Sequence, residues 1–195
     1  MKCELLTATS NSEELIEKAA RTCYDSKENP ETRKQFIQNL MKRGHLGVIE
    51  HGVATIKVEG VSRALTHQLV RHRLASYNQR SQRYVKEGGF KYVIPPSIAD
   101  NRVKLQKYKD IMATLRNAYT IFLKDGIPAE DARFILPNAC ESEIVITMNF
   151  RAWRNFLKLR LDKHAQWEIR ELAQRILVIL NEQAPSIFED LLAIS

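Results

Sequence analysis

The stretch RALTHQLVRHRLASYNQRSQRY, residues 63–84, dominates the sequence. It holds five arginines and no carboxylate, and no Asp or Glu occurs anywhere between Glu59 and Glu87. Together with Lys86, these arginines supply six of the seven net positive charges of the chain. A solvated basic face is the simplest explanation of a charge run, but such a face normally contains lysines and interspersed acids. The stretch is therefore predicted to bind an anion.

The first half of this stretch has helical spacing, because apolar residues recur every four positions from Val61 to Leu69. The pattern predicts a helix over residues 61–73, which delivers Arg71 and Arg73 into a polar loop. Serine and asparagine in that loop favour turns and local hydrogen bonds. Arginine side chains bind phosphate oxygens in a two-pronged manner, and hydroxyl and amide groups add neutral donors. The expected ligand therefore carries a phosphate group.

The rest of the chain alternates between strand and helix patterns and shows no composition break that would mark a domain boundary. At 195 residues, the chain is predicted to form one domain, residues 1–195. Strands are predicted at residues 2–8, 53–59 and 143–149, and helices at residues 12–21, 31–43, 97–126 and 127–136, from about 152, and at 167–180. These strands and helices are typical of an α+β fold.

Composition and cysteine spacing bear on the compartment. Cys3, Cys23 and Cys140 form an odd set without paired spacing, which favours reduced thiols and a cytoplasmic location. The longest aliphatic run, Ile176–Leu180, is too short to cross a bilayer, and the start of the chain lacks the apolar core of a signal peptide. We therefore expect neither export nor a membrane partner.

Several motifs together carry a resemblance to a known family. Seven fixed residues in thirteen positions form the first motif, Arg71-His72-Arg73-x-x-Ser76-x-Asn78-x-x-Ser81-x-Arg83. Further along the chain follow Arg133-x-x-Leu136-Pro137, then Asn149-x-Arg151-x-x-x-Asn155-Phe156-x-x-x-Arg160, and then His164-Ala165-Gln166-Trp167-Glu168. On these residues the chain resembles the flavin-dependent thymidylate synthases, and the resemblance extends from about Gly44 to Glu168.

The resemblance implies an enzyme that methylates dUMP to dTMP. The family uses FAD, takes its carbon from methylenetetrahydrofolate and its reducing equivalents from NADPH. The residues implied to bind dUMP are Gln68, Arg71, Gln79, Arg80, Ser81, Gln82, Arg83, Arg133 and Arg160. Those implied to bind FAD are His51, Arg71, His72, Arg73, Gln79, Asn149, Arg151 and Asn155. Arg160 is the implied catalytic residue, which stabilises negative charge on the pyrimidine.

The resemblance also implies a fold and an assembly. It implies a central, mainly antiparallel sheet flanked by helices, and a homotetramer whose active sites lie at subunit interfaces. The expected partners are the small molecules dUMP, folate and NADPH, without nucleic acid. No metal site is expected, because His67 and His72 have neither a cysteine pair nor an acidic triad to support them.

Some residues and one function class keep an alternative. A basic helix followed by a loop with Tyr77 and Tyr84 is also typical of single-stranded nucleic-acid binding. Ser81 is either a nucleophile or a hydrogen-bond donor, and the lack of an evident base favours the donor role. Arg133 has a local alternative, which is pairing with the two acids that precede it. His51, which lies just before a strand, is either structural or in contact with the flavin. Without a histidine or arginine beside it in the sequence, Cys140 is expected to be an inert thiol.

Overall fold

The structure of the chain is a computed structural model that describes residues 1–23 and 25–193. One four-stranded sheet has the strand order β1-β2-β4-β3. The strands are β1 (Lys2–Ala8), β2 (Val53–Ser62), β3 (Ser76–Gln79) and β4 (Glu141–Asn149). The sheet is antiparallel: the Thr9 N–H donates to the Val53 carbonyl, and the Phe150 N–H donates to the Gly52 carbonyl. The α+β class and the antiparallel sheet are therefore confirmed.

Helices flank this sheet. They are α1 (Ser12–Thr22), α2 (Arg33–Lys42), α3 (Arg63–Leu69), α4 (Pro96–Ala99), α5 (Arg102–Lys124), α6 (Ala129–Ala132), α7 (Phe150–Arg160), α8 (Trp167–Gln183) and α9 (Pro185–Phe188). Short 3-10 helices occur at Leu46–His51, Arg133–Ile135 and Glu189–Leu191. Over residues 1–23 and 25–193, none of the helices has the length and apolar character that crossing a membrane requires.

The packing of the chain divides it into two compact units. The first unit comprises Met1–Val58, Leu69–Tyr77 and the described part of Val145–Ser195, and the second comprises Glu59–Gln68 and Asn78–Ile144. The division falls within β2, β3 and β4, so no linker marks it in the sequence. A single domain over residues 1–195 stays a prediction.

Helix α7 is fixed firmly within the first unit. Its Trp153 is fully buried, and the indole N–H donates to the Ala54 carbonyl of β2 at 3.2 Å. Gly52, just before β2, lies so close to the Phe150 ring that a Cβ atom at this position would overlap the ring. The residue must therefore be glycine. These contacts hold the start of α7 against the start of β2.

The helix predicted over residues 61–73 is shorter than expected, since α3 ends at Leu69. The Tyr77 hydroxyl lies 2.8 Å from the Leu69 carbonyl and 2.9 Å from the His72 carbonyl, and it donates to this pair. This bond satisfies carbonyl groups that a helix leaves free at its end. Arg71 therefore lies in the turn after the helix, outside α3.

The polar loop predicted after this helix is also partly wrong, because residues 76–79 form strand β3. The backbone N–H of Arg80, directly after β3, donates to the Glu143 carbonyl of β4. Strand propensity depends on the partner strand more than on the residue itself, and serine and asparagine here follow the pairing. Short polar strands of this kind have no apolar alternation to reveal them.

The long helix predicted from residue 97 begins later than expected. Asn101 interrupts it, because the Asn101 side chain accepts the backbone N–H groups of Val103 and Lys104, both at 3.0 Å, and caps α5. Residues 96–99 form the separate short helix α4. The helix predicted over residues 97–126 is therefore divided into α4 and α5, and the next helix, predicted over residues 127–136, divides into α6 and a 3-10 helix.

A buried carboxylate organises the start of the first unit. Glu17 of α1 is fully buried and accepts hydrogen bonds from Arg21 and from Arg33, each at 2.8 Å, and from the Asn29 backbone N–H at 2.9 Å. Burial alone raises the pKa of Glu17, but the hydrogen bonds from Asn29, Arg33 and Arg21 outweigh it, and the pKa lies below its ordinary value. The carboxylate therefore ties α1 to the chain that leads into α2.

Replacing Glu17 by alanine should lower the free energy of unfolding by about 3 kcal/mol, because the change leaves two partly buried cations without their partner. Denaturation in urea at pH 7 measures this loss. The contribution of Glu17 is present above the unfolded pKa of the carboxyl group and should fade as the pH falls through its lowered folded pKa. Glu171→Ala is the matched control, because its ion pair with Arg175 is exposed and should cost less than about 0.5 kcal/mol. Equal losses for both variants would contradict this account.

Candidate active site

A cavity of about 880 Å³ lies within the first unit, and we call it the arginine cavity. Its walls come from the 3-10 helix Leu46–His51, residues 71–74, the end of β4 and helix α7. Six cationic residues line it: Arg71, Arg73, Arg151, Arg154, Lys158 and Arg160. Apolar side chains add Leu46, Ile49, Leu74, Met148 and Leu159. Charge and apolar surface together suit a large ligand that has both an anionic part and a flat apolar part.

Residues 71–73 reach the cavity because the chain turns sharply after α3. The Tyr77 hydroxyl holds that turn through the Leu69 and His72 carbonyls. The burial of Tyr77 raises the pKa of its hydroxyl to about 12, so the group keeps its proton as a donor. The first motif of the sequence therefore supplies two cations of the cavity, Arg71 and Arg73. Tyr77, which lies within the same motif, shapes their turn.

Helix α7 supplies the opposite wall. Asn149 caps the helix, since its side-chain oxygen accepts the Ala152 N–H at 2.8 Å. Arg151 and Asn155 are four residues apart and share one face. Arg160 is about 140° away from Asn155 around the helix, yet it lines the same cavity. The helix continues unbroken between the two residues, and both side chains reach the cavity.

Arg151 is held by Glu50. Its Nη1 atom lies 2.6 Å from a carboxylate oxygen of Glu50, and both side chains are about half exposed. Glu50 is the one carboxylate among the lining residues in the described part of the chain. It leaves other N–H groups of Arg151 free while it fixes the direction of the guanidinium. His51, the neighbour that the sequence analysis singled out, is exposed and is not among the lining residues.

Arg160 is held by a histidine. Its Nε–H donates to Nε2 of His72 at 3.1 Å, and the His72 ring packs edge-on against Phe156 with 5.1 Å between ring centroids. Burial and the nearby charge of Arg160 both lower the pKa of His72. The histidine is therefore neutral at pH 7, and it accepts the hydrogen bond.

Arg71 and Arg73 differ from the other cations. Within residues 1–23 and 25–193 their guanidinium groups form neither a hydrogen bond nor an ion pair, and both side chains are exposed. Arg154, by contrast, is buried and forms a two-pronged pair with Asp190 at 2.6 and 2.7 Å. Two free arginines, with His72 between them in the chain, provide the donors for an incoming anion.

A separate cluster of candidate residues belongs to the second unit. Arg83 pairs with the Glu130 carboxylate at 3.0 Å, and Arg133 donates to the Glu130 backbone carbonyl at 3.0 Å. Glu130 therefore brings two predicted dUMP ligands together. The pKa of Arg63 lies below its ordinary value, because the group is partly buried and lies near the charge of Arg133. Arg133 contacts Glu130 locally, but through the Glu130 backbone carbonyl, and the Glu130 carboxylate pairs with Arg83 instead.

The remaining residues of the second unit that are predicted to bind dUMP lie in different environments. The Gln79 amide donates to the hydroxyl groups of Thr66 at 3.0 Å and Ser142 at 3.1 Å. Arg80 pairs with Glu87 at 3.1 Å in a smaller cleft of about 330 Å³. The Ser81 hydroxyl accepts the Arg83 N–H at 3.2 Å. Both the amide of Gln79 and the guanidinium of Arg80 are thus committed to neighbours within the unit.

The structure brings most of the predicted flavin residues together. Six of the eight line the arginine cavity: Arg71, His72, Arg73, Asn149, Arg151 and Asn155. Arg160 lines it as well. The predicted dUMP ligands Gln68, Gln79, Arg80, Ser81, Gln82, Arg83 and Arg133 belong to the second unit. The ligand contacts of all these residues stay predictions.

Sequence reasoning missed Glu50, Lys158 and Glu130. Glu50 directly precedes His51, a predicted flavin-binding residue, but nothing in the sequence showed that the acid faces the cavity. Lys158 belongs to no motif, although it lies three residues after Asn155 and so shares its face. Glu130 was considered only as a partner of Arg133.

Comparison with known proteins shows a family. A sequence model described as "Thymidylate synthase complementing protein" matches residues 4–186. The chain belongs to this family. A flavin-dependent thymidylate synthase of Geobacter sulfurreducens is 44% identical over 200 residues, which cover 97% of this chain and 86% of the relative. One from Clostridium tetani is 41% identical, with the same coverage of 97% and 86%. One from Pyrococcus abyssi is 47% identical over 153 residues, which cover 76% of this chain and 63% of the relative.

The free arginines of this family member should bind a diphosphate group. Replacing Arg71 or Arg73 by glutamine should each weaken the binding of inorganic pyrophosphate about 10-fold or more, because each change removes a charge-assisted hydrogen bond. Isothermal titration calorimetry measures the affinity. Arg102→Gln at the exposed start of α5 is the matched control, since it makes the same change in net charge. A loss as large in the control as in the other two variants would contradict a specific site.

Proposed function

We propose that the chain is a flavin-dependent thymidylate synthase. It would convert dUMP to dTMP, with methylenetetrahydrofolate as the carbon donor, NADPH as the reductant and FAD as the cofactor. Support comes from family membership and from the names of relatives that share 41–44% of their residues over 97% of the chain. The observation that carries the proposal is the arginine cavity, where six of the residues assigned to FAD by the family resemblance meet.

The residues of the arginine cavity fit FAD. Arg71 and Arg73 offer free guanidinium groups, which suit the diphosphate of the cofactor. Leu46, Leu74 and Leu159 offer apolar surface for a ring system. The volume of about 880 Å³ lies near the upper end of the usual range for ligand sites, roughly 300–1,000 Å³. FAD, when bound, supplies the hydride chemistry, and the protein supplies position and electrostatics.

We assign Arg160 the stabilisation of negative charge on the pyrimidine. Arginine is a permanently charged side chain in proteins, so Arg160 offers a fixed positive charge to the substrate ring. In the second unit, Arg83 and Arg133 around Glu130 are proposed to hold the phosphate of dUMP. Ser81 would act as a polar contact, because its hydroxyl has the Arg83 N–H and no base as its hydrogen-bond partner in the described residues.

A mechanism through a cysteine nucleophile finds no support. The side chain of Cys140 is 1% exposed, and burial together with the nearby charge of Glu87 raises its pKa to about 12. A thiol with such a pKa is almost fully protonated at pH 7 and is a poor nucleophile. This agrees with the expectation that Cys140 is inert.

Assembly and location remain part of the proposal. A homotetramer with active sites at subunit interfaces would allow residues of several subunits to complete one site. We also propose a cytoplasmic enzyme that binds small molecules and no nucleic acid. Family membership supports the enzyme over the alternative of a nucleic-acid-binding loop.

Arg160→Ala tests the proposed reaction. The purified wild-type protein mixed with FAD should show a bound-flavin absorption spectrum that bleaches when NADPH is added without oxygen. The variant should keep that spectrum but form dTMP about 10²–10³-fold more slowly, because it lacks the charge that stabilises the reacting ring. Lys158→Ala is the control, since it removes one cation from the same helix. Near-normal turnover of Arg160→Ala would remove Arg160 from its role, and a wild-type protein that takes up no FAD would refute the proposed function.

A further inference from the structure

We propose that His72 is a positioning residue that anchors the Arg160 guanidinium through the Nε2 atom of its ring. The inference rests on the proposed function in one respect, which is that Arg160 acts on the substrate. It differs from the role implied by the family resemblance, in which His72 contacts the flavin. The anchoring itself is a property of the folded chain.

The hydrogen bond fixes the protonation of the ring. The Arg160 Nε–H donates to His72 Nε2 at 3.1 Å, and an arginine nitrogen has no lone pair with which to accept. Nε2 must therefore be unprotonated, and the ring proton must reside on Nδ1. The Nδ1–H group then remains available as a donor on the other side of the ring.

The ring and the backbone of His72 are each held in place. It packs edge-on against Phe156, which is fully buried, with an angle of 77° between the ring planes. The backbone of His72 is fixed by the Tyr77 hydroxyl, which lies 2.9 Å from its carbonyl. Phe156 and Arg160 are four residues apart on α7 and therefore share one face, so His72 sits against both.

The position of the contact on the guanidinium has a consequence for the ligand. Arg160 uses its inner nitrogen, Nε, for the histidine, which is its one hydrogen-bond partner in the described residues. Its two terminal nitrogens, Nη1 and Nη2, therefore stay free to act as a fork toward a ligand. An arginine held at Nε has fewer rotamers to lose when the substrate binds, so its charge is preorganised.

The anchor should fail in acid. Burial and the charge of Arg160 lower the pKa of His72, and protonation of Nε2 removes the acceptor and brings two cations together. The anchor is therefore present above the pKa of His72 and lost as the pH falls below it. The other charged groups that face the cavity are Glu50 from the 3-10 helix, Arg71 and Arg73 from the segment of His72, and Arg151, Arg154 and Lys158 from α7.

The first test examines the ring without the cofactor. The full-length protein, labelled with nitrogen-15 in its histidines, is titrated by NMR before any FAD is added. We expect the His72 ring to carry its proton on Nδ1 and to titrate below the ordinary histidine pKa of about 6.5. In Arg160→Gln the titration should move upward, because the neighbouring charge is gone. A proton on Nε2, or no change of the titration in Arg160→Gln, would overturn the proposal.

The second test separates anchoring from simple packing. Glutamine at position 72 can place its side-chain oxygen near the position of Nε2, whereas leucine keeps the bulk but offers no acceptor. We expect His72→Leu to lower kcat about 10²-fold, the scale of a misplaced reacting group, with a smaller change in the KM for dUMP. His72→Gln should recover much of that kcat. In the wild-type protein kcat should fall in acid as His72 becomes protonated, and this acid limb of the pH profile should be absent in His72→Gln.

His45→Gln, at an exposed histidine elsewhere in the first unit, is the matched control and should leave both kcat and the pH profile unchanged. Equal losses for His72→Leu and His72→Gln, or an unchanged acid limb in His72→Gln, would overturn the proposal. Flavin absorbance and thermal unfolding identify any variant that fails to fold. If a variant does not fold, the NMR titration of the wild-type protein decides whether His72 anchors Arg160. A wild-type protein that forms no dTMP refutes the proposed function instead, and the ring titration then judges the anchor by itself.

Discussion

The burial of Trp153 between α7 and β2 is the constraint on which the arginine cavity depends. The indole is fully buried, and its N–H donates to the Ala54 carbonyl, which fixes both the distance and the rotation of α7 on the strand. Asn149 caps the helix at the end of β4, so the helix can begin only there. Gly52 lets the Phe150 ring approach the backbone closely. Once α7 is fixed in this way, the direction of each of its cationic side chains follows from helix geometry.

Many like charges in one cavity repel each other, and the structure divides the five arginines of the cavity into two groups. Arg151, Arg154 and Arg160 are each held by a protein partner: a carboxylate for the first two, a neutral histidine for the third. Arg71 and Arg73 have no such partner in the described residues. The held arginines keep the cavity in shape, and the free ones retain an unsatisfied charge that an anionic ligand can neutralise. Binding of an anionic ligand relieves the repulsion between these charges, and this relief contributes to the affinity for the ligand.

The sequence predicted the composition of the site better than its geometry. The motifs identified six residues that the structure brings into one cavity, because three belong to one short turn, residues 71–73, and the other three belong to helix α7 and its cap Asn149. Tertiary contacts set the remainder. The end of α3 depends on a hydroxyl at Tyr77, eight residues beyond Leu69, and no apolar pattern records such a bond. Strand β3 is polar and forms only because β4 offers it a partner. The ion pair of Glu50 could not be predicted for the same reason, because its partner Arg151 is 101 residues away in the chain.

The fold was predictable in its class and in its long elements. Strand β4 alternates between buried and partly buried residues, as the sequence alternation predicts, and α8 presents one apolar face to the core. The boundaries were less predictable wherever a single side chain ends a helix, as Asn101 does before α5. The division into two compact units was not predictable at all, because it runs through strands and no linker accompanies it.

The most direct test of the central claim is a search for dTMP by mass spectrometry. The full-length protein is incubated with FAD, dUMP, methylenetetrahydrofolate and NADPH, and each component is omitted in turn. The account predicts that dTMP forms in the complete mixture and disappears when FAD or methylenetetrahydrofolate is left out. A protein that binds FAD and oxidises NADPH but forms no dTMP would contradict the assignment of the arginine cavity to this reaction.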